Sequence, residues 1–438
     1  MTKMSLYRHL VQLFIVLVFC SSCISSTLGD QLFINDDQLH SLKYETETFD
    51  LSRLYNQVGL PTGSPYMVNV DDFGAKGDGT DDSEAFRKAW EEVCSYSNSV
   101  LVVPEDRIYH LKPINFSGPC NSHISMKIDG TIKASVNPSD YEHSPQHWLL
   151  FQNLRNFEVK GGGTINGNGK IWWKKSCKID KSRPCTDAPT VATFLGCKNL
   201  KVSGLRVRNP QQVHISFQKC VNVKARNLII IAPGNSPNTD GIHVTGTQNI
   251  QIMNSIIKTG DDCISIVNGS KNIKVTDITC GPGHGISIGS LGKGNSEARV
   301  LDVSVNRVKF SGSTNGVRIK TWQGGSGFAK NIKFQDVLMH NVSNPIIIDQ
   351  NYCDQIKPCA KQPSAVQVEN VWYKNIRGTS ASKVAIQLNC SKSLPCKGIV
   401  LQDVILAATQ TDQNAIASCD NVYLASRGRV SPPCSESE

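Results

Sequence analysis

The sequence predicts an all-β solenoid whose coils stack short strands in parallel, closed at its N-terminal end by one helix. Three observations predict it. A short pattern of a polar residue followed by apolar, any, apolar recurs from about residue 150, as RNFEV, KNLKV, VNVKA, QNIQI, KNIKV, LDVSV, KNIKF, ENVWY and KGIVL. The intervening stretches are β-branched runs separated by Gly, Asn and Ser, with no helical periodicity. One amphipathic segment, GTDDSEAFRKAWEEVC (79–94), precedes them.

The repeat comes first. Its polar positions include Asn199, Asn222, Asn249, Asn272, Asp302, Asn331 and Asn370, at intervals of 23 to 39 residues. Repeats of that size, each too short to bury its own apolar side, stack to share a core. The recurrent Asn is expected to form a ladder, each amide bonding the neighbouring coil. A β-sandwich or jelly roll is the alternative, and the long run of repeats argues against it. In segment 79–94, Asp81 and Glu84 have the spacing of a capping box, and Ala85, Phe86, Ala89, Trp90 and Val93 follow helical spacing. That helix is expected to cover the raw end of the β-core.

The termini and composition set the context. Lys3 and Arg8 precede the apolar run Leu10–Cys20 and then small residues, which reads as a signal peptide over 1–29 rather than a membrane anchor. No later segment approaches the roughly 18 apolar residues of a membrane span. Residues 30–66 carry six acids against Lys43 and Arg53 and no cysteine; they are either a removable pro-segment or a disordered leader. Residues 67–438 form one catalytic domain in this reading. Of 16 cysteines, Cys20 and Cys23 fall in or beside the signal, and the remaining even number favours disulfides over a metal site. Sequence neighbours give the pairs Cys177/Cys185, Cys353/Cys359, Cys390/Cys396 and Cys419/Cys434. Sequons stand at Asn115, Asn268, Asn341 and Asn389. The net charge, +9 before and +7 after loss of Lys3 and Arg8, suits an acidic polymer as partner. Nucleic acid is not expected, because basic and aromatic residues do not interleave.

The chemistry lies in three aligned segments: Asp240-Gly-Ile-His-Val, Asp262-Cys-Ile-Ser-Ile and His284-Gly-Ile-Ser-Ile, each 22 residues after the last. A fourth, Asn315-Gly-Val-Arg-Ile, follows 31 residues on. Equivalent positions on neighbouring coils lie roughly 4.8 Å apart. Asp240, Asp262 and His284 should therefore form a column, with Asp261 beside it. Arg318 and Lys320 alternate with Ile319 and should point away from the core. Strand parity would turn Asp262 inward, so a bend at 259–262 is expected, with Gly260 relaxing the backbone and both carboxylates reaching solvent. Crowded carboxylates should raise at least one pKa, leaving a protonated acid beside ionised bases. That pairing serves glycosidic cleavage, and the two cations would hold a carboxylate on the sugar. Each motif alone has a plainer reading: a turn, a solvated strand face, or calcium ligands of a lyase. Their placement on consecutive coils favours catalysis.

SPNTDG (236–241), GDDCIS (260–265), GPGHGISIGS (281–290) and RIKTWQGG (318–325) resemble, in order, the four signature blocks of the polygalacturonases of glycoside hydrolase family 28. The likeness runs from DFGAKGDGTDD (72–82) through IIIDQNYC (346–353) to the last cysteines, and is closest to the plant branch. It implies a single-stranded right-handed parallel β-helix and hydrolysis of de-esterified homogalacturonan with inversion, by an endo-enzyme or alternatively an exo-enzyme. It implies Asp261 as general acid, Asp240 and Asp262 as the pair activating water, and His284 as the residue tuning the acid. Arg318, Lys320, Tyr352 and Asn238 would bind substrate. No metal or other cofactor is implied. The setting would be secretion to the plant cell wall as a monomer, with a polygalacturonase-inhibiting protein as a further partner.

Overall fold

The computed structural model describes residues 64–186, 188–355, 359–410 and 414–434. The segments read as signal peptide and leader lie, up to residue 63, outside the described residues. Among the described residues, strands pair in parallel from coil to coil, in one sheet of 11 strands and one of 19. This is the parallel β-helix that the repeat predicts. The apolar position of the motif becomes a vertical core column: Val223, Ile250, Ile273, Val303, Ile332, Val371 and Ile399 are in register and buried. Phe116, Phe151, Phe194 and Phe217 stack likewise inside the smaller sheet, with centroids 5.1, 4.8 and 5.4 Å apart. Among the described residues, no helix is long and apolar enough to cross a membrane.

The asparagine ladder forms. Asn199 donates to Asn156 at 2.8 Å, Asn222 to Asn199 at 3.0 Å, Asn249 to Asn222 at 3.1 Å and Asn272 to Asn249 at 2.7 Å. Each donor sits at φ between +55° and +59°, where Asn is tolerated better than other side chains. Asp302 shares the conformation, at φ +57°, but has no amide to donate; it accepts from Asn331 at 3.0 Å. We expect Asn249→Ala to lower stability by about 1–2 kcal/mol, read as a fall in urea midpoint. Asn249→Gly, which keeps the bend, should lose less. Equal losses in both would show that the backbone conformation is not the cause.

Helix Ser83–Ser95 packs the expected residues, Ala85, Phe86, Ala89, Trp90 and Val93, against the first coils. Trp90 meets Phe116 and Phe157 edge-on, with centroids 5.2 and 5.7 Å away. The capping box does not form. The helix is preceded by Asp82, whose carboxylate accepts instead from the Lys76 and His110 amides. Asp81 accepts from the Ser83 amide, and Glu84 pairs with Arg87.

All four neighbour disulfides form, joined by Cys94–Cys120 and Cys263–Cys280, which close longer loops. The even count misleads at Cys197 and Cys220, which are buried thiols. They occupy one turn position on successive coils, bonding Phe151 O at 3.5 Å and Phe194 O at 3.2 Å. Thr247 and Ser270 serve the same function on the next coils. The position selects a small donor for a buried carbonyl, not a disulfide partner. Of the sequons, Asn268 already uses both ends of its amide, donating to Glu297 O and accepting from Arg299 N, whereas Asn115 is exposed.

Candidate active site

The smaller sheet builds the site on its outer face. Strands Ile242–Thr245, Ile264–Ile266, Ile286–Leu291 and Asn315–Trp322 pair with Ile242, Ile264, Ile286 and Val317 in register. Asp240, Asp262 and His284 each lie two residues before these positions, as the 22-residue steps predict. Asn238, Asp240, Asp261, Asp262, His284, Arg318, Lys320 and Tyr352 line one cavity of about 450 Å³. All eight residues singled out in the sequence are therefore brought together.

The bend at 259–262 exists and is tightly held. A Cβ on Gly260 would lie 2.0 Å from Ser236 O, so only glycine fits. Thr259 Oγ1 donates to Asp261 O at 2.9 Å, and the His284 amide donates to the same oxygen at 2.8 Å. The adjacent Cys263–Cys280 disulfide ties the bend to the end of strand Lys271–Cys280, which is in register with Ile257 just before the bend.

The bend exposes only one carboxylate. Asp261 keeps 18% side-chain exposure, but Asp262 keeps 3%, contrary to the expectation that both reach solvent. Burial is tolerated because cations meet both of its oxygens: Arg318 Nη2 lies 2.8 Å from Oδ1 and Lys320 Nζ 3.1 Å from Oδ2. Ser287 Oγ donates to Oδ1 at 2.8 Å. Arg318 and Lys320 do turn away from the core, yet they are 14% and 11% exposed and ion-paired rather than free. Lys320 Nζ also lies 5.4 Å from the Tyr352 ring, within cation–π range.

Burial and unlike partners, more than crowding, drive the pKa values of two of the carboxylates apart. Burial, then repulsion by Asp261 and Asp262, raises Asp240 well above the usual carboxylate range, against the hydrogen bond from Ser265 Oγ at 2.7 Å. Burial pushes Asp261 up too, but its hydrogen bond and attraction to His284, with help from Lys320, outweigh burial and bring it below that range. His284 Nδ1 is 2.9 Å from Asp261 Oδ1, and the Asp262 amide donates to the same oxygen at 2.8 Å. Asn238 Nδ2 reaches Asp261 Oδ2 at 3.4 Å. Burial lifts Tyr352 to about 12, so it stays a neutral donor. Asp261, Asp262 and His284 bring ligand-type atoms within 4.8 Å of one another. Arg318 and Lys320 on the Asp262 oxygens make that cluster a poor seat for calcium.

Two groups of site residues escaped the sequence reading. His243, Ser265 and Ser287 stand in register with Arg318 on the outer face. The same alignment that singled out Arg318 names them, one column read backwards. Lys178 and Asp354 line the cavity and pair at 2.8 Å. They are 176 residues apart, and no local pattern links them.

The chain matches the family model described as Glycosyl hydrolases family 28 over residues 94–429. Polygalacturonase QRT2 of Arabidopsis thaliana is 54% identical over 431 residues, 96% of this chain and 97% of that protein. Polygalacturonase-2 of Solanum lycopersicum is 51% identical over 442 residues, 97% of this chain and 96% of that protein. Among solved structures, endo-xylogalacturonan hydrolase from Aspergillus tubingensis superposes with a TM-score of 0.70 at 22% identity, over 83% of this chain and 100% of that one. A hyperthermoactive exopolygalacturonase from Thermotoga maritima gives 0.69 at 23% identity, over 82% and 90%. At these identities the structural likeness is one of fold.

Proposed function

Since the chain belongs to the glycosyl hydrolases of family 28, we propose that it is an endo-polygalacturonase, cleaving α-1,4 bonds inside de-esterified homogalacturonan of the plant cell wall. One observation carries the endo reading. The strand bearing the end of the Asp262 segment is sixth of eleven in the cleft sheet, so five strands extend on either side. At roughly 4.8 Å per strand, each side offers about 24 Å of surface along which a polymer can lie. An exo-enzyme needs one side closed. The six disulfides among the described residues support a secreted setting.

In the proposed mechanism the sugar's own carboxylate meets the remaining N–H donors of Arg318 and Lys320, with Tyr352 and Asn238 beside it. The Asp261–His284 pair shares one proton. Asp261 passes it to the leaving glycosidic oxygen, and the pair is recharged from solvent after turnover, as Asp240 gives up the proton it took from water. Asp240, aided by the charge of Asp262, takes a proton from the attacking water. Water then adds to the anomeric carbon as the C–O bond breaks, inverting the configuration.

The pH dependence follows. Asp240 must be ionised to accept a proton, and its raised pKa places the acidic limb of the rate profile above the ordinary carboxylate range. The basic limb is loss of the proton that Asp261 delivers to the leaving oxygen. Activity should therefore peak on the acidic side of neutrality; an optimum above about pH 8 would contradict the assignment. Chromatography of early products from de-esterified homogalacturonan tests the function as a whole. Saturated oligomers, formed equally with a chelator present, are expected. Monomer alone means an exo-enzyme, and unsaturated, ultraviolet-absorbing products mean a lyase.

A further inference from the structure

Two carboxylates at successive bends each accept a hydrogen bond from a serine on the following coil. Asp240 Oδ2 accepts from Ser265 at 2.7 Å, and Asp262 Oδ1 from Ser287 at 2.8 Å. The serines are register partners and both are buried. What stands behind them differs. Behind Ser287 is Arg318, with Nε 3.0 Å from Oγ. A guanidinium only donates, so that chain runs one way, toward an acceptor carboxylate. Behind Ser265 is His243, with Nδ1 2.8 Å from Oγ. Burial holds His243 below the ordinary imidazole range, so the ring is neutral, and a neutral ring nitrogen can donate or accept.

The Ser265 chain can therefore run in either direction. With Asp240 ionised, His243 Nδ1–H donates to Ser265, and Ser265 donates to the carboxylate. With Asp240 protonated, its O–H donates to Ser265, and Ser265 donates to an unprotonated Nδ1. The ring exchanges tautomer between the two. We propose that Ser265 and His243 are positioning residues that let Asp240, unlike the ion-paired Asp262, change its charge state without losing its hydrogen bond. This rests on the polygalacturonase reading above. The other charged groups facing Asp240 are Asp261, Asp262 and Lys320. His214, brought down to about 4 by burial, meets Asp240 at its carbonyl and not its carboxylate, its Nδ1 lying 2.8 Å away.

The test is the pH profile of polygalacturonate hydrolysis for Ser265→Ala, His243→Leu and His243→Gln, with thermal midpoints measured alongside. Ser265→Ala removes a partner of both forms, but the bond to the ionised carboxylate is the stronger of the two, so the acidic limb should move up by about one pH unit. KM should change less than kcat, because neither residue is among those proposed to hold the sugar carboxylate. His243→Leu leaves Ser265 able to donate to the ionised form but takes away the acceptor that its O–H needs when Asp240 is protonated, so the limb should move the other way, down, by less. His243→Gln, whose amide can also donate or accept, should restore it. A rate loss uniform across pH, or an unmoved limb in folded variants, overturns the inference. If Ser265→Ala does not fold, the contrast between His243→Leu and His243→Gln decides. A wild-type protein that releases no reducing ends from polygalacturonate would overturn the functional reading itself, whereas an active wild type with unmoved limbs would overturn this inference alone.

Discussion

Asp261→Asn is expected to lower polygalacturonate hydrolysis by about 10²–10⁴-fold while the thermal midpoint stays close to wild type. The substitution is isosteric. The introduced carboxamide would still accept from the Asp262 amide through its oxygen, which spares the bend. What it lacks is the proton that the leaving oxygen needs. The loss should therefore depend on the leaving group. On an aryl galacturonide whose phenolate departs without protonation, the variant should recover most of its activity. Asp240→Asn should lose activity on both substrates, because activation of water is needed in each. The comparison has force because the raised pKa belongs to Asp240 and the lowered one to Asp261. If Asp240→Asn were the variant rescued by the aryl substrate, the two roles would be exchanged. In the proposed order, Asp261 is the proton's route to the sugar.

Arg318→Ala should damage both stability and recognition. Asp262 is 3% exposed, and the guanidinium supplies the shorter of its two ionic contacts, 2.8 Å against 3.1 Å. Removing one partner of a buried pair costs about 3–5 kcal/mol when no cation remains; with Lys320 still in place the lower end is expected, read as a fall in urea midpoint. The kinetic consequence is separate. Wild type should prefer de-esterified over methyl-esterified oligomers, and the variant should lose that preference through a raised KM. Arg318→Lys should not rescue it. An ammonium spent on Ser287 and Asp262 keeps one N–H, without the planar fork of donors that the guanidinium still offers the sugar carboxylate beyond Nε and Nη2. Unaltered discrimination between the two substrates would remove Arg318 from the binding role.

The coil and the column were legible from the order of residues alone. Parallel strands repeat one position per coil, so the 22-residue steps from Asp240 to Asp262 to His284 were enough to stack them, and strand parity was enough to turn Arg318 and Lys320 outward. The same logic made the asparagine ladder legible, since a one-residue bend repeated in sequence is repeated in space. Four disulfides were legible because their loops are short. How deep each group lies, and what it touches, was settled by packing between coils. Asp262 is buried and Asp261 is not, although they are chain neighbours, because Arg318 and Lys320 arrive from a strand 56 and 58 residues away to cover it. Which carboxylate keeps a proton depends on that same packing, as do the Cys263–Cys280 bridge and the Lys178–Asp354 pair. Periodicity along a chain fixes direction and register. Protonation depends on distance and solvent in three dimensions, which one strand's residues do not carry.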